Sequence, residues 1–275
     1  TIASGPTPFV TERISAPGGE FVQWSRDGAS LTWSVGPRFM RYTIDDSLGT
    51  ATNTPRQIAD LSLRVESDKP EGLVAFINAR VITMNETRDT LESGVVVVRE
   101  NRIQSVGRTG DIVIPSEAKI VDLGGKTLLP GYIDAHAHGP YARDAIIPQN
   151  NWSLLAHLAL GVTTVHNPSS RAAQVFPAAE YQRAGVTLGP RIFSTGEIIY
   201  GAKSTGFDPI ESLDDAKAVV DRLKAQGAIS VKNYNQPRRA QRQMVIEAAR
   251  DAEMLVVAEG GSLYNMDMNL VADGS

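Results

Sequence analysis

The residues best placed to do chemistry are His136 and His138, which close the stretch Leu128-Leu129-Pro130-Gly131-Tyr132-Ile133-Asp134-Ala135-His136-Ala137-His138-Gly139. An apolar, strand-like run leads into them. Side chains on a strand alternate faces, so both imidazoles are expected to project from one side. Two imidazoles at that spacing can hold one divalent metal ion together. A bare His-x-His carries little weight, because such pairs arise by chance. The Pro-Gly entry, the aspartate just upstream and the glycine exit set this one apart; the competing reading is two strand-end histidines in ordinary hydrogen bonds.

This stretch resembles the first barrel strand of the amidohydrolase superfamily. Members carry Pro-Gly-aromatic-Ile-Asp-x-His-x-His and hydrolyse C–N or related bonds with one or two metals. The turn before it, Ile120-Val121-Asp122-Leu123-Gly124-Gly125-Lys126, is similar as well. The resemblance runs from residue 73 onward and is most specific over 121–139. It implies a (β/α)8 barrel flanked by a small β-sandwich, with the site at the C-terminal ends of the barrel strands.

The resemblance also implies the remaining ligands. In many members a lysine ending the fourth strand reacts with CO2, and the carbamate bridges two metals. Lys232 takes that place in Ile229-Ser230-Val231-Lys232-Asn233-Tyr234. A lysine facing cations in a partly dry cavity has its ammonium form disfavoured, which suits that reaction. The alternative is a lysine that binds a substrate carboxylate or forms a salt bridge. The fifth strand departs from the family pattern: where a histidine is usual, Leu255-Val256-Val257-Ala258-Glu259-Gly260-Gly261 offers Glu259. A carboxylate is an acceptable ligand for Zn2+, Mn2+ or Fe2+, so Glu259 can stand in; it could also bind a substrate amine. The expected metal set is therefore His136, His138, Lys232 and Glu259, around one or two divalent ions, zinc first and manganese or iron compatible. The family's sixth-strand histidine and eighth-strand aspartate would lie beyond Ser275, so no catalytic proton shuttle is assigned.

For substrate binding the candidates are His166, Tyr234 and Arg238. His166 follows Gly161-Val162-Thr163-Thr164-Val165 at the mouth of the second strand; the other two begin the loop after the fourth. Arg171, Tyr200, Lys203 and Asn233 lie in similar places. His157, within Leu154-Leu155-Ala156-His157-Leu158-Ala159-Leu160, reads as a structural residue on an outer helix.

From residue 126 the chain alternates strands with helices, the pattern of βαβ units and a parallel sheet. Strands are expected over 128–135, 162–165, 191–195, 229–233 and 255–258, and helices over 152–160, 172–184, 213–226 and 236–252. Asp267 and Asp273 are expected on the helix and loop that follow. A full barrel takes about 250 residues, so 126–275 corresponds to about five units, a partial (β/α)8 barrel in an α/β fold. Residues 73–125 read as the β-sandwich part, 46–72 as a connector with a strand candidate over 56–65, and 1–45 as a β-hairpin segment. There Trp24-Ser25-Arg26-Asp27-Gly28 and its flanking strands resemble one blade of a TolB-type β-propeller; the Asp-Gly pair favours the turn such a hairpin needs.

Composition narrows the function class. The 275 residues carry 27 basic and 31 acidic side chains, a net charge of −4, with no footprint for nucleic acid. No apolar run reaches the length of a membrane span. The lack of cysteine excludes thiolate catalysis, cysteine-based zinc sites and disulfides. The chain starts at Thr1 and shows no signal peptide, which leans toward a processed, exported or periplasmic protein. The expectation is a metal-dependent hydrolase of C–N bonds in small-molecule or peptide-like substrates. The missing barrel strands would come from absent C-terminal sequence or another chain, and the 275 residues alone would be inactive. The alternative is a non-catalytic binding or assembly protein with a degenerate metal site.

Overall fold

The computed structural model describes residues 13–44, 54–143, 146–201, 207, 209–259 and 264–274. The N-terminal segment is a four-stranded antiparallel meander of β1 (Glu20–Trp24), β2 (Ser30–Val35), β3 (Arg38–Thr43) and β4 (Arg56–Asp60), paired in chain order. Its first turn is made by the Asp-Gly pair: Asp27 Oδ1 accepts from the Ser25 hydroxyl at 2.6 Å and from Ala29 N–H at 3.1 Å, and Gly28 takes φ 71°. β4 lies in the stretch read as a connector, but it pairs with β3 and so belongs to this sheet.

A second sheet follows, built from β5 (Leu73–Ile82), β6 (Thr90–Arg99), β7 (Arg102–Arg108), β8 (Lys119–Asp122) and β9 (Thr127–Leu128), in the order β7-β6-β5-β8 with β9 also along β5. Strand alternation gives it two apolar faces: Leu73, Ala75, Val95 and Val97 cluster on one, Ala79, Val81 and Val96 on the other. β8 and β9 both run parallel to β5, joined by the Asp122–Gly125 turn. Asp122 Oδ1 accepts from Gly124 N–H at 2.8 Å, and Gly125 N–H donates to Asn78 O at 2.7 Å.

The remainder alternates as the sequence pattern predicts: β10 (Tyr132–Asp134), α1 (Trp152–Ala159), β11 (Val162–Asn167), α2 (Ala172–Ala184), β12 (Arg191–Ser194), β13 (Ile199–Tyr200), α3 (Leu213–Gln226), β14 (Ser230–Tyr234), α4 (Arg239–Asp251), β15 (Leu255–Glu259) and α5 (Tyr264–Asp273). β10-β11-β12 and β13-β14-β15 form two parallel sheets. One core joins them to the helices, with Val165, Ile192 and Val231 from strands against Val175, Val220, Leu223 and Val245.

β11 runs two residues past its expected end and β13 lies outside the expected strands; two further boundaries differ for reasons local to a proline. The strand expected over 128–135 is two strands in different sheets, β9 and β10, because Pro130 lacks an N–H for the ladder and breaks the pairing. The helix expected from 236 starts at Arg239, because a residue before proline is pushed out of the helical region, and Gln236 precedes Pro237.

The meander docks on α3. Trp33, Val35 and Tyr42 pack with Ala225, and a Cβ on Gly36 would lie 2.1 Å from Ala225 O. Glu20 is caught in this contact. Burial, then the nearby Glu197 carboxylate, push its pKa above the ordinary 4.5, while a bond to Gln226 and the charge of Arg222 pull the other way. A carboxyl with a raised folded pKa contributes stability that is complete below about 4.5 and is lost as pH rises through the folded value. Glu20→Gln keeps the group neutral. Its melting temperature is expected to match the parent near pH 4 and to exceed it by about 2 °C at neutral pH in a scan across that range, the half-exposed position keeping the gain small.

Candidate metal centre

The strand carrying the histidines enters through Gly131, whose missing side chain lets β10 approach β11: a Cβ there would sit 2.1 Å from Thr163 Oγ1. The strand ends at Asp134, so His136 and His138 lie on the turn and extended segment beyond it, not on a strand. Asp134 shapes that turn by accepting from His136 N–H at 3.0 Å. Ala137 N–H then donates to His166 O at 2.9 Å, which ties the segment to β11. The two imidazoles meet edge to face, centroids 5.0 Å apart at 77°.

β14 and β15 bring the other two candidates to the same place, both near the C-terminal ends of parallel strands. Lys232 is buried, and its Nζ lies 2.6 Å from Glu259 Oε2; that same oxygen lies 3.4 Å from His136 Nε2. Contact with the Lys232 ammonium, reinforced by the charges of Lys232, His136 and His138, holds the Glu259 carboxyl below the usual carboxylate range against partial burial. His136, His138, Lys232 and Glu259 thus form one group.

Tyr234 joins them through Lys232, whose Nζ stands 5.0 Å from the ring centroid, and it stacks on Tyr200 at 5.5 Å. His166 is bound elsewhere: Nδ1 is 3.3 Å from Ala135 O and Nε2 is 2.8 Å from Ser230 Oγ. Burial, opposed by the Ala135 bond and aided by the charge of His136, lowers its pKa. It lines a cavity of about 520 Å³ with Ala135, Ser230, Arg250, Met254 and Val257. Arg238, exposed at the N-cap of α4, takes no part in the contacts that join the four candidates. Asn233 is buried and donates to Arg242 O at 3.3 Å, behind the strand. Arg171 is the N-cap of α2. Lys203 lies outside the described residues. Asp267 and Asp273 are both on α5, and Asp273 pairs with Arg239 at 2.7 Å. His157 sits on α1, with Nδ1 2.8 Å from Ser153 O and Nε2 3.9 Å from Asp134 Oδ2.

Among the described residues no three His, Cys, Asp or Glu side chains form a ready-made metal cluster. The chemistry of the group nevertheless suits a divalent ion. Tetrahedral ligands at zinc distances stand about 3.4 Å apart, the separation of His136 Nε2 and Glu259 Oε2. Glu259 Oε2 is also shielded with no aligned hydrogen-bond donor, since the Lys232 contact is close but off hydrogen-bond geometry. Sequence reading passed over Asn167, which meets His138 Nδ1 at 3.2 Å. The signal was present in the alternation of β11, had that strand been carried two residues further.

No protein-family model matches the chain. Over 64 residues it is 33% identical to a 5-methylthioadenosine/S-adenosylhomocysteine deaminase from Bacillus cereus, 23% of this chain and 14% of that protein. Among solved structures it is similar to a protein described as a prolidase from Bifidobacterium longum, with TM-score 0.60 and 21% identity over 75% of this chain and 53% of that one. It is also similar to a Xaa-Pro dipeptidase with bound methionine, with TM-score 0.57 and 20% identity over 74% and 60%. The chain therefore spans little more than half of the structures it matches. At 20–21% identity the likeness shows a shared fold over about three quarters of this chain.

Proposed function

We propose that this chain carries part of the barrel and one wall of the metal site of a metal-dependent hydrolase acting on C–N bonds. The observation that carries the reading is the meeting of His136, His138, Lys232 and Glu259 beside the C-terminal ends of parallel strands, where barrels of this class place their chemistry. The similarity to a deaminase and to a Xaa-Pro dipeptidase supports C–N chemistry. A divalent ion bound there, zinc first, would lower the pKa of a coordinated water and polarise a carbonyl.

The chain's own residues supply the rest. His136 and His138 offer imidazole nitrogens and Glu259 a carboxylate that the Lys232 contact holds below its usual pKa range. Lys232 has two states. As an ammonium it neutralises Glu259 and occupies the place of a cation. As a carbamate it becomes a ligand: its neutral amine forms an N–C bond to CO2 and the displaced proton leaves to solvent. Tyr234 adjoins the group through Lys232, while His166 and Arg238 stand outside its contacts, so Tyr234 is the first of the three candidates to contact substrate, an amide, a cyclic amide or a peptide-like bond. The shares of the neighbours covered, 53% and 60%, support a site completed by further barrel strands, from additional sequence or another chain. The four-stranded meander supports a propeller-blade reading for the N-terminal segment.

Metal analysis tests the proposal. Zinc titration followed by calorimetry is expected to show near-stoichiometric binding that weakens at least ~100-fold in His136→Ala/His138→Ala, since two of the ligands are gone. A folded protein that takes up no zinc, manganese or iron would discard the hydrolase reading and favour a binding or assembly role.

A further inference from the structure

We infer that Asn167, held by the backbone N–H of Ser169, is a positioning residue that locks His138 in the Nδ1–H tautomer and so presents Nε2 as its ligand atom. The logic starts from a donor that cannot change role. The backbone N–H of Ser169 donates to Asn167 Oδ1 at 2.9 Å, which identifies that atom as the oxygen. The same oxygen lies 3.2 Å from His138 Nδ1. An amide oxygen only accepts, so His138 Nδ1 must carry the hydrogen. The lone pair of the neutral ring is then on Nε2, the arrangement in which metal-binding histidines are commonly held by a neighbouring carbonyl.

Asn167 is built to keep that orientation. It is 1% exposed. Its backbone carbonyl accepts from the Ser194 hydroxyl at 2.7 Å and from Thr195 N–H at 3.1 Å, which pins the end of β11 to β12. A flipped amide would face Ser169 N–H with a donor and leave two buried donors opposed. Ser169 therefore fixes the amide, and the amide fixes the tautomer.

The consequence for metal binding rests on the hydrolase reading above, whereas the tautomer does not, and the experiment separates them. Long-range 1H–15N correlation on the metal-free, 15N-labelled chain, at about pH 8 where an ordinary imidazole is neutral, is expected to show His138 with a protonated Nδ1 and an unprotonated Nε2. Asn167→Leu is expected to lose that single tautomer and to weaken zinc binding about 10–100-fold. Asn167→Asp keeps an acceptor and is expected to restore both to near the parent. An Nε2–H tautomer in the parent, or an Asn167→Leu protein with the parent's tautomer and zinc affinity, would overturn the inference. Should Asn167→Leu fail to fold, the parent spectrum decides it, an Nε2–H tautomer there overturning the inference. A parent with the expected tautomer but no zinc binding would overturn the hydrolase reading and leave the positioning of His138 standing.

Discussion

Glu259→Ala is expected to destabilise the folded chain by about 2–3 kcal/mol, read as a lower urea midpoint at unchanged slope. The side chain of Lys232 is 4% exposed, and Glu259 Oε2 at 2.6 Å is its only ion-pair partner among the described residues. Removing the carboxylate strands an ammonium in a site it cannot leave, with only the face of Tyr234 at 5.0 Å as partial compensation. The cost stays below that of a fully enclosed pair because the Glu259 side chain is 38% exposed and water reaches the contact. Lys232→Met in the same chain is expected to recover most of the loss, since it replaces the stranded charge with an apolar side chain of similar length. The double variant thus isolates the charge from the shape. Equal midpoints for the parent and Glu259→Ala would show that the two groups are not paired in solution.

That result also bears on why the four candidate ligands were legible at all. The family resemblance picks out their positions, and the βαβ pattern from residue 126 onward sends the C-terminal ends of the strands to one rim. Lys232 sits in the middle of β14 and Glu259 is the last residue of β15, one beyond the expected strand, and register sets Lys232 opposite Val257 and Tyr234 opposite Glu259. What periodicity could not supply is where a strand stops. With β11 expected to end at Val165, His166 reads as a mouth residue and Asn167 is not singled out. Two further residues of pairing with β12, His166 with Phe193 and Asn167 with Ser194, set His166 against Ser230 and bring Asn167 to His138. Strand ends depend on partners far away in sequence, here Ser194 and Thr195, and no local pattern in 161–167 encodes them. The same limit explains β4, whose strand is expected over 56–65 but ends at Asp60, where its pairing with β3 stops.

The sharpest case is Gly131, where a turn signal in the sequence turns out to be a packing requirement. Pro130 ends the pairing of β9 with β5, and the next residue must cross to β11. Gly131→Ala would place its Cβ 2.1 Å from Thr163 Oγ1, 2.3 Å from Cγ2 and 2.7 Å from Cβ. No rotamer of Thr163 clears these contacts, because its two γ atoms fill two of three staggered positions and one clashing position stays occupied, while Cβ is fixed to the backbone. The strand itself must move, and overpacking of this kind costs about 3 kcal/mol. The site moves with it, since the segment that carries His136 and His138 continues directly from β10 and is tied to β11 by Ala137 N–H to His166 O, by the contact of His166 Nδ1 with Ala135 O and by that of His138 Nδ1 with Asn167 Oδ1. Gly131→Ala is therefore expected to lower thermal stability and to weaken zinc binding by at least ~10-fold, although residue 131 touches no candidate ligand. Thr163→Gly in the same chain removes all three clashing atoms and is expected to return zinc affinity to near the parent, at a cost in strand stability of about 1 kcal/mol. Restored affinity in the double variant would tie the geometry of the histidine pair to the spacing of β10 and β11, whereas a Gly131→Ala protein with the parent's affinity would show that the pair is set by its own turn at Asp134.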